Sequence, residues 1–150
     1  MSPSIQIIAG DVLMTLIFRV MKEDLDELPQ VAGAADGLGV RVGTDIQVDQ
    51  NGNVVVGIEG MSVNPNWRDA PTFRIPRRLR KLKSGARGPN TNACFKHGSG
   101  TFTRGPVAPG LILEPDRPGH GVTAPTAAVP LATYEADIAA TRPDWEKHEK

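Results

Sequence analysis

Early in the chain the sequence reads Thr15-Leu16-Ile17-Phe18-Arg19-Val20, a strand-like run that carries a single charge. Its β-branched and aromatic residues favour a pleated strand, and the period of two places Phe18 and Arg19 on opposite faces. If both faces are covered, the Arg19 guanidinium lies in a cleft, where its planar fork is suited to binding phosphate. The ordinary alternative is an edge arginine that contacts water or pairs with Glu23 or Asp24.

The charges are segregated along the chain although the formal net charge is zero. Residues 1 to 67 hold 3 basic and 9 acidic side chains, residues 68 to 104 hold 10 and 1, and residues 105 to 150 hold 4 and 7. A basic segment between two acidic ones is suited to binding nucleic acid or another phosphate. It is equally suited to being neutralised by the protein's own acids or by an acidic partner.

Strand and turn signals recur through the chain, which has 16 Gly and 13 Pro. Asn51-Gly52 predicts a tight hairpin between the alternating runs 45–49 and 53–56, because Asn-Gly supplies the positive φ angles that such a turn needs. Further extended runs predict short strands separated by loops: 5–9, 61–63, 93–97, 100–103, 110–115 and 120–125.

Two segments have helical spacing. Residues 77–83 carry leucines three apart among cations and predict a short basic amphipathic helix. Near the end, Pro130 precedes a run in which Leu131, Tyr134 and Ile138 share one face, which predicts a C-terminal helix. The fold class is therefore α+β with mostly antiparallel strands, in one domain spanning residues 1–150.

No segment predicts a membrane span or a cleaved leader. The apolar run 5–21 is short and is interrupted by Gly10, Asp11 and Arg19, and no basic n-region precedes it. The single cysteine, Cys94, excludes an intrachain disulfide and a cysteine-rich zinc site. We therefore expect a cytoplasmic protein, in the producing cell or in a target cell after delivery, that uses no metal.

The motifs of the common enzyme classes are absent, but an order of short motifs remains. Phe18-Arg19 lies in the first clear strand, Gly60-Met61-Ser62-Val63 lies mid-chain, and a strand containing His120 precedes the final helix and Trp145. In this order the chain resembles small ADP-ribosyltransferase-like toxins, in particular the short cytostatic effectors delivered by type VI secretion. The likeness covers about half of the chain, and residues 64–110 match no part of it.

The resemblance implies a split or strongly twisted sheet around a cleft that holds NAD as co-substrate. Arg19 would hold the pyrophosphate, Phe18 would be the aromatic residue at the cofactor, and the Ser62 hydroxyl would fix a ribose. His120 would hydrogen-bond the ribose or move a proton. The resemblance also implies an intracellular macromolecular target that receives ADP-ribose, and an immunity protein or antitoxin that neutralises the toxin.

The chain departs from the family at its catalytic glutamate, which belongs on a late strand. Glu114 follows a strand and is the first candidate, and Glu59 is the second. If neither faces the cleft, a nucleotide binder is favoured over a transferase. Each candidate also has an ordinary interpretation: Ser62 as a strand-end cap, His120 as a turn residue and Glu114 as an exposed carboxylate.

Two other classes of function fit the same sequence. A metal-independent ribonuclease toxin would use His97 and His120 as acid and base, with Lys96 and the run 77–83 as cations on the scissile phosphate. A non-enzymatic module would bind RNA or DNA phosphates through the basic segment 74–87. The cations expected to contact nucleic acid are Arg77, Arg78, Arg80 and Lys81.

Overall fold

The computed structural model describes residues 15–150 and has an α+β architecture with two antiparallel sheets. The predicted strand at 5–9 lies outside the described residues. Seven strands are present in the described part: β1 (Leu16–Lys22), β2 (Met61–Val63), β3 (Asn92–Gly98), β4 (Gly105–Ala108), β5 (Leu111–Arg117), β6 (His120–Pro125) and β7 (Trp145–Lys147). One α-helix, α1 (Leu131–Ala139), and short 3-10 helices at Trp67–Asp69, Arg77–Leu79 and Arg142–Asp144 complete the described elements.

The strands form one sheet in the order β1-β3-β7 and a second in the order β2-β6-β5-β4. The two sheets meet where Phe18 of β1 and Asn64, just after β2, exchange two backbone hydrogen bonds of 2.8 Å. The predicted α+β class, the antiparallel strands and the C-terminal helix are confirmed. The ADP-ribosyltransferase-like fold itself stays a prediction.

Strand β1 has a core on each of its faces, as its alternation predicts. Ile17 and Met21 belong to the larger core, which contains side chains of both sheets and of α1. Phe18 and Val20 belong to a smaller core built around the fully buried Trp67. Arg19 shares the face of Ile17, so its side chain enters the protein between the two sheets rather than reaching solvent at an edge.

Helix α1 positions β2 and therefore Ser62. Tyr134 and Ile138 are buried on one helix face, as predicted. The Tyr134 hydroxyl accepts a hydrogen bond of 3.2 Å from the Met61 amide and donates one of 2.5 Å to the Thr123 carbonyl. No helix within residues 15–150 combines the length and the hydropathy that crossing a bilayer requires.

Three predicted elements were wrong in part. Residues 77–83 form a 3-10 turn followed by further turns instead of an amphipathic helix, because cations three and four residues apart repel one another in a regular helix and so short a run does not offset this. The Asn51-Gly52 turn exists, with Gly52 at φ 82°, but its arms meet only through an isolated bridge between Val48 and Val54. The strand expected at 100–103 begins instead at Gly105.

Candidate functional site

A cleft of about 210 Å³ lies where β1, β2 and β6 come together. It contains Arg19, Ser62 and His120, which the sequence analysis placed in one site from motifs far apart in the chain. Its lining carries basic and neutral side chains but no carboxylate from the described part of the chain. The lining residues are Arg19, Val20, Ser62, Asn64, Ala70, Pro71, Arg74, Arg117 and His120.

Arg19 is bound by backbone carbonyls instead of by a carboxylate. Its Nη1 donates to Ser62 O at 2.6 Å, its Nε donates to Gly37 O at 3.1 Å, and its Nη2 donates to Ala35 O at 3.0 Å and Gly37 O at 2.9 Å. The side chain is 5 % exposed. Burial, followed by the nearby charge of Arg74, lowers the pKa of Arg19 to about 10, so the group stays cationic at neutral pH.

The edge interpretation of Arg19 is therefore wrong, since both of its suggested partners are bound elsewhere. Glu23 pairs with Lys147 at 2.7 Å, and Asp24 pairs with Arg142 at 3.2 Å. The phosphate-clamp interpretation is changed as well, because most donors of the guanidinium already hold the loop 34–37 and strand β2. What Arg19 presents to the cleft is chiefly its charge.

Arg74 is a cation of the cleft that the sequence motifs did not single out. Burial, followed by the charge of Arg41, lowers the pKa of Arg74. Its guanidinium lies 5.4 Å from the centre of the Phe73 ring, and it forms no ion pair with any carboxylate of residues 15–150. Arg117, also in the lining, is 64 % exposed and lies 3.4 Å from Asp116. Arg74 and Arg117 are therefore the cleft arginines with donors available to a ligand, and Arg74 is the more buried of the two.

Ser62 and His120 are diagonal neighbours on the same face of the second sheet, because Ser62 pairs with Val122 of β6. The Ser62 hydroxyl makes no hydrogen bond within the described chain. His120 Nδ1 lies 2.7 Å from Asp116 Oδ1. Because a carboxylate only accepts, Nδ1 carries the hydrogen, and Nε2 is left as the second functional atom of the ring. Asp116 thus fixes the orientation of an imidazole in the cleft.

Three predicted site residues lie outside the cleft. Phe18 is 5 % exposed and packs in the smaller core, where its ring lies 5.5 Å from that of His148. Glu114 is bound to Arg104 at 2.9 Å. Glu59, the second candidate, accepts a hydrogen bond of 2.9 Å from the Gln47 amide. The cleft therefore has neither the expected aromatic residue nor the expected glutamate.

The residues of the ribonuclease hypothesis are not brought together. His97 is 6 % exposed, its Nδ1 has no hydrogen-bond partner among residues 15–150, and its ring lies 5.2 Å from that of Trp145 in the larger core. It does not line the cleft that contains His120. Burial lowers the pKa of His97, which holds the ring neutral.

The basic segment is partly used by the protein itself. Arg78 pairs with Glu149 at 2.6 Å, and Arg80 donates to Ala86 O at 3.2 Å. Arg77 and Lys81 are exposed. Within the described residues no group of three or more His, Cys, Asp or Glu side chains is placed to hold a metal ion.

Comparisons with protein-family models, with curated proteins and with solved structures found no match to this chain.

Proposed function

We propose that the protein binds NAD, or a nucleotide pyrophosphate of the same kind, in the cleft between its two sheets. The observation that carries the proposal is the meeting of three guanidinium groups, those of Arg19, Arg74 and Arg117, in one concavity whose described lining has no carboxylate. Burial disfavours the charged form of Arg19 and Arg74, and the carboxylates near them, those of Asp36 and Asp45, do not line the cleft. An anionic ligand offsets that cost, so the cleft favours an anion.

Phosphate is the anion that suits these donors best. Guanidinium groups bind phosphate oxygens through two parallel hydrogen bonds, and Arg74 has its fork available. Asn64, Ser62 and His120 add neutral polar atoms beside the cations. Such a mixture suits a ligand that joins charged phosphates to uncharged sugar and base, as nucleotides do.

Transfer of ADP-ribose by an ADP-ribosyltransferase-like toxin is the second candidate. It is favoured by the presence of Arg19, Ser62 and His120 in one cleft, in the chain order on which the resemblance is based. It ranks below nucleotide binding because Glu114 and Glu59 lie elsewhere. Incubation with labelled NAD and cell lysate tests it: a transferase labels a macromolecule, and Ser62→Ala or His120→Ala reduces the labelling.

Calorimetric titration with NAD and with inorganic pyrophosphate tests the proposed function. Arg74→Ala is expected to weaken binding of both at least about tenfold, the usual effect of losing hydrogen bonds to a charged group. The matched control is Arg77→Ala, an exposed arginine three residues away that does not line the cleft. Equal losses in the two variants would indicate unspecific attraction to the basic segment, and wild-type protein that binds neither ligand would refute the proposal.

A further inference from the structure

The cleft continues beyond His120 into a second hollow of about 240 Å³. The two share Asn64, Pro71, Arg117 and His120, so a ligand placed in the first has direct access to the second. The second hollow differs in one respect, because its lining includes a carboxylate, that of Asp69.

The Asp69 side chain is exposed and therefore available to a ligand. Among residues 15–150 its carboxylate has no ion pair and accepts no hydrogen bond. It lies against Gly119, where an added Cβ would come 3.6 Å from Asp69 Cγ. The second hollow therefore holds an unpaired acceptor, the Asp69 carboxylate, close to Arg117 and His120.

The backbone that carries Asp69 is firmly held. Asp69 is the last residue of the 3-10 helix Trp67–Asp69. The Asn66 side chain caps this helix by accepting a hydrogen bond of 2.9 Å from the Arg68 amide. Trp67 is fully buried in the smaller core. The Asp69 amide also donates to Asn66 O at 3.0 Å. The carboxylate therefore projects from a fixed support, as binding groups require.

We infer that Asp69 accepts hydrogen bonds from the ribose hydroxyls of the nucleotide whose phosphates lie against Arg74; this inference rests on the proposed function. A carboxylate repels phosphate and only accepts hydrogen bonds, so its ligand must offer donors. Arg117 in the same hollow disfavours a cationic ligand. The sugar hydroxyls are the neutral donors of a nucleotide that lie nearest to its phosphates, and carboxylates bind the ribose hydroxyls of dinucleotides in this way.

The cleft and the second hollow prefer opposite charges, and this difference also orients the ligand. The arginines of the cleft attract the phosphates, and the Asp69 carboxylate repels phosphates from the second hollow. A nucleotide therefore enters with its sugar toward Asp69 and its phosphates toward Arg74.

The test compares adenosine diphosphate with 2′-deoxyadenosine diphosphate by calorimetry. Wild-type protein is expected to bind the ribose form about three- to tenfold more tightly, because the deoxy form lacks the hydroxyl that donates to the charged carboxylate. Asp69→Ala and Asp69→Asn should each reduce this preference while leaving the affinity for inorganic pyrophosphate unchanged or higher. Asp137→Asn, a half-buried carboxylate on α1 outside both hollows, is the control and should keep the preference.

The outcomes separate this inference from the proposed function. If wild-type protein binds pyrophosphate but binds both nucleotides with equal affinity, the role of Asp69 is overturned and the phosphate site stands. A ribose preference that survives Asp69→Ala has the same consequence. Failure of wild type to bind pyrophosphate or either nucleotide would overturn both.

Discussion

Arg19 Nη1 donates a hydrogen bond of 2.6 Å to the carbonyl oxygen of Ser62. This contact joins the first strand of one sheet to the first strand of the other. The other donors of the same guanidinium bind the carbonyls of Ala35 and Gly37, so one side chain fixes a strand and a loop together. Arg19 therefore builds the cleft as well as charging it.

Arg19→Ala should lower the free energy of unfolding by about 3 kcal/mol or more, because it leaves several buried carbonyls without donors. Arg19→Lys should restore little of this, since an ammonium does not have the fork that bridges Ser62 and Gly37. Urea denaturation measures the change. Arg77→Ala is the control and should stay within about 0.5 kcal/mol of wild type; an equally small effect of Arg19→Ala would contradict the role assigned to its carbonyl contacts.

Glu114→Ala should leave the affinity for NAD unchanged. The carboxylate binds Arg104 at 2.9 Å and does not line the cleft. The Arg104 side chain is exposed, so loss of the ion pair should also change the free energy of unfolding little. Calorimetry with NAD measures the affinity, and a loss as large as that of Arg74→Ala would place Glu114 in the site after all.

Tyr134→Phe should lower the free energy of unfolding by about 1 to 3 kcal/mol, because it leaves the buried Met61 amide and Thr123 carbonyl without the hydroxyl that joins them. Since Met61 begins β2, the same change should weaken NAD binding through displacement of Ser62. Thermal or urea unfolding and calorimetry report the two effects. A variant as stable as wild type would show that the hydroxyl contributes nothing to holding β2.

The protein should lose stability as the pH is lowered, because His97 titrates. Burial lowers the pKa of His97 below its ordinary value of 6.5, so the unfolded chain binds the proton more readily than the folded one. The free energy of unfolding is therefore highest above about pH 6.5 and falls as the pH drops toward the lowered pKa, by at most about 1.4 kcal/mol per pH unit.

His97→Gln tests this assignment, because only the His97 contribution is removed while other titrating groups, such as His148, are common to both proteins. The difference in slope between wild type and variant over about pH 5 to 7 is the quantity to measure. Parallel slopes would show that His97 does not account for the loss of acid stability.

The strands near the cleft were predictable because short-range patterns define them. Alternation in 15–20 placed Phe18 and Arg19 on opposite faces, and Met61–Val63 is the strand predicted there. The helix after Pro130 followed from the spacing of Tyr134 and Ile138. That Arg19, Ser62 and His120 share a cleft came from the resemblance rather than from any local pattern.

The rest depends on long-range geometry that the sequence does not display. The Gly-rich loop 34–37 has no periodicity, so nothing in it reveals that its carbonyls hold Arg19. Arg74 was one cation among ten in residues 68–104, and only its position beside the cleft separates it from Arg77. Asp116 precedes His120 by four residues, a spacing that becomes a contact because the chain turns back between β5 and β6.

The most direct test of the central claim is to map NAD binding on the backbone amides by NMR. A nucleotide in the cleft should shift the amide signals of Ser62, Asn64, Arg74 and His120, with the largest changes along the shared wall of the two hollows. Signals of the exposed turn at 80–83 should stay in place. Shifts confined to that basic turn, or no shifts at saturating NAD, would contradict the account.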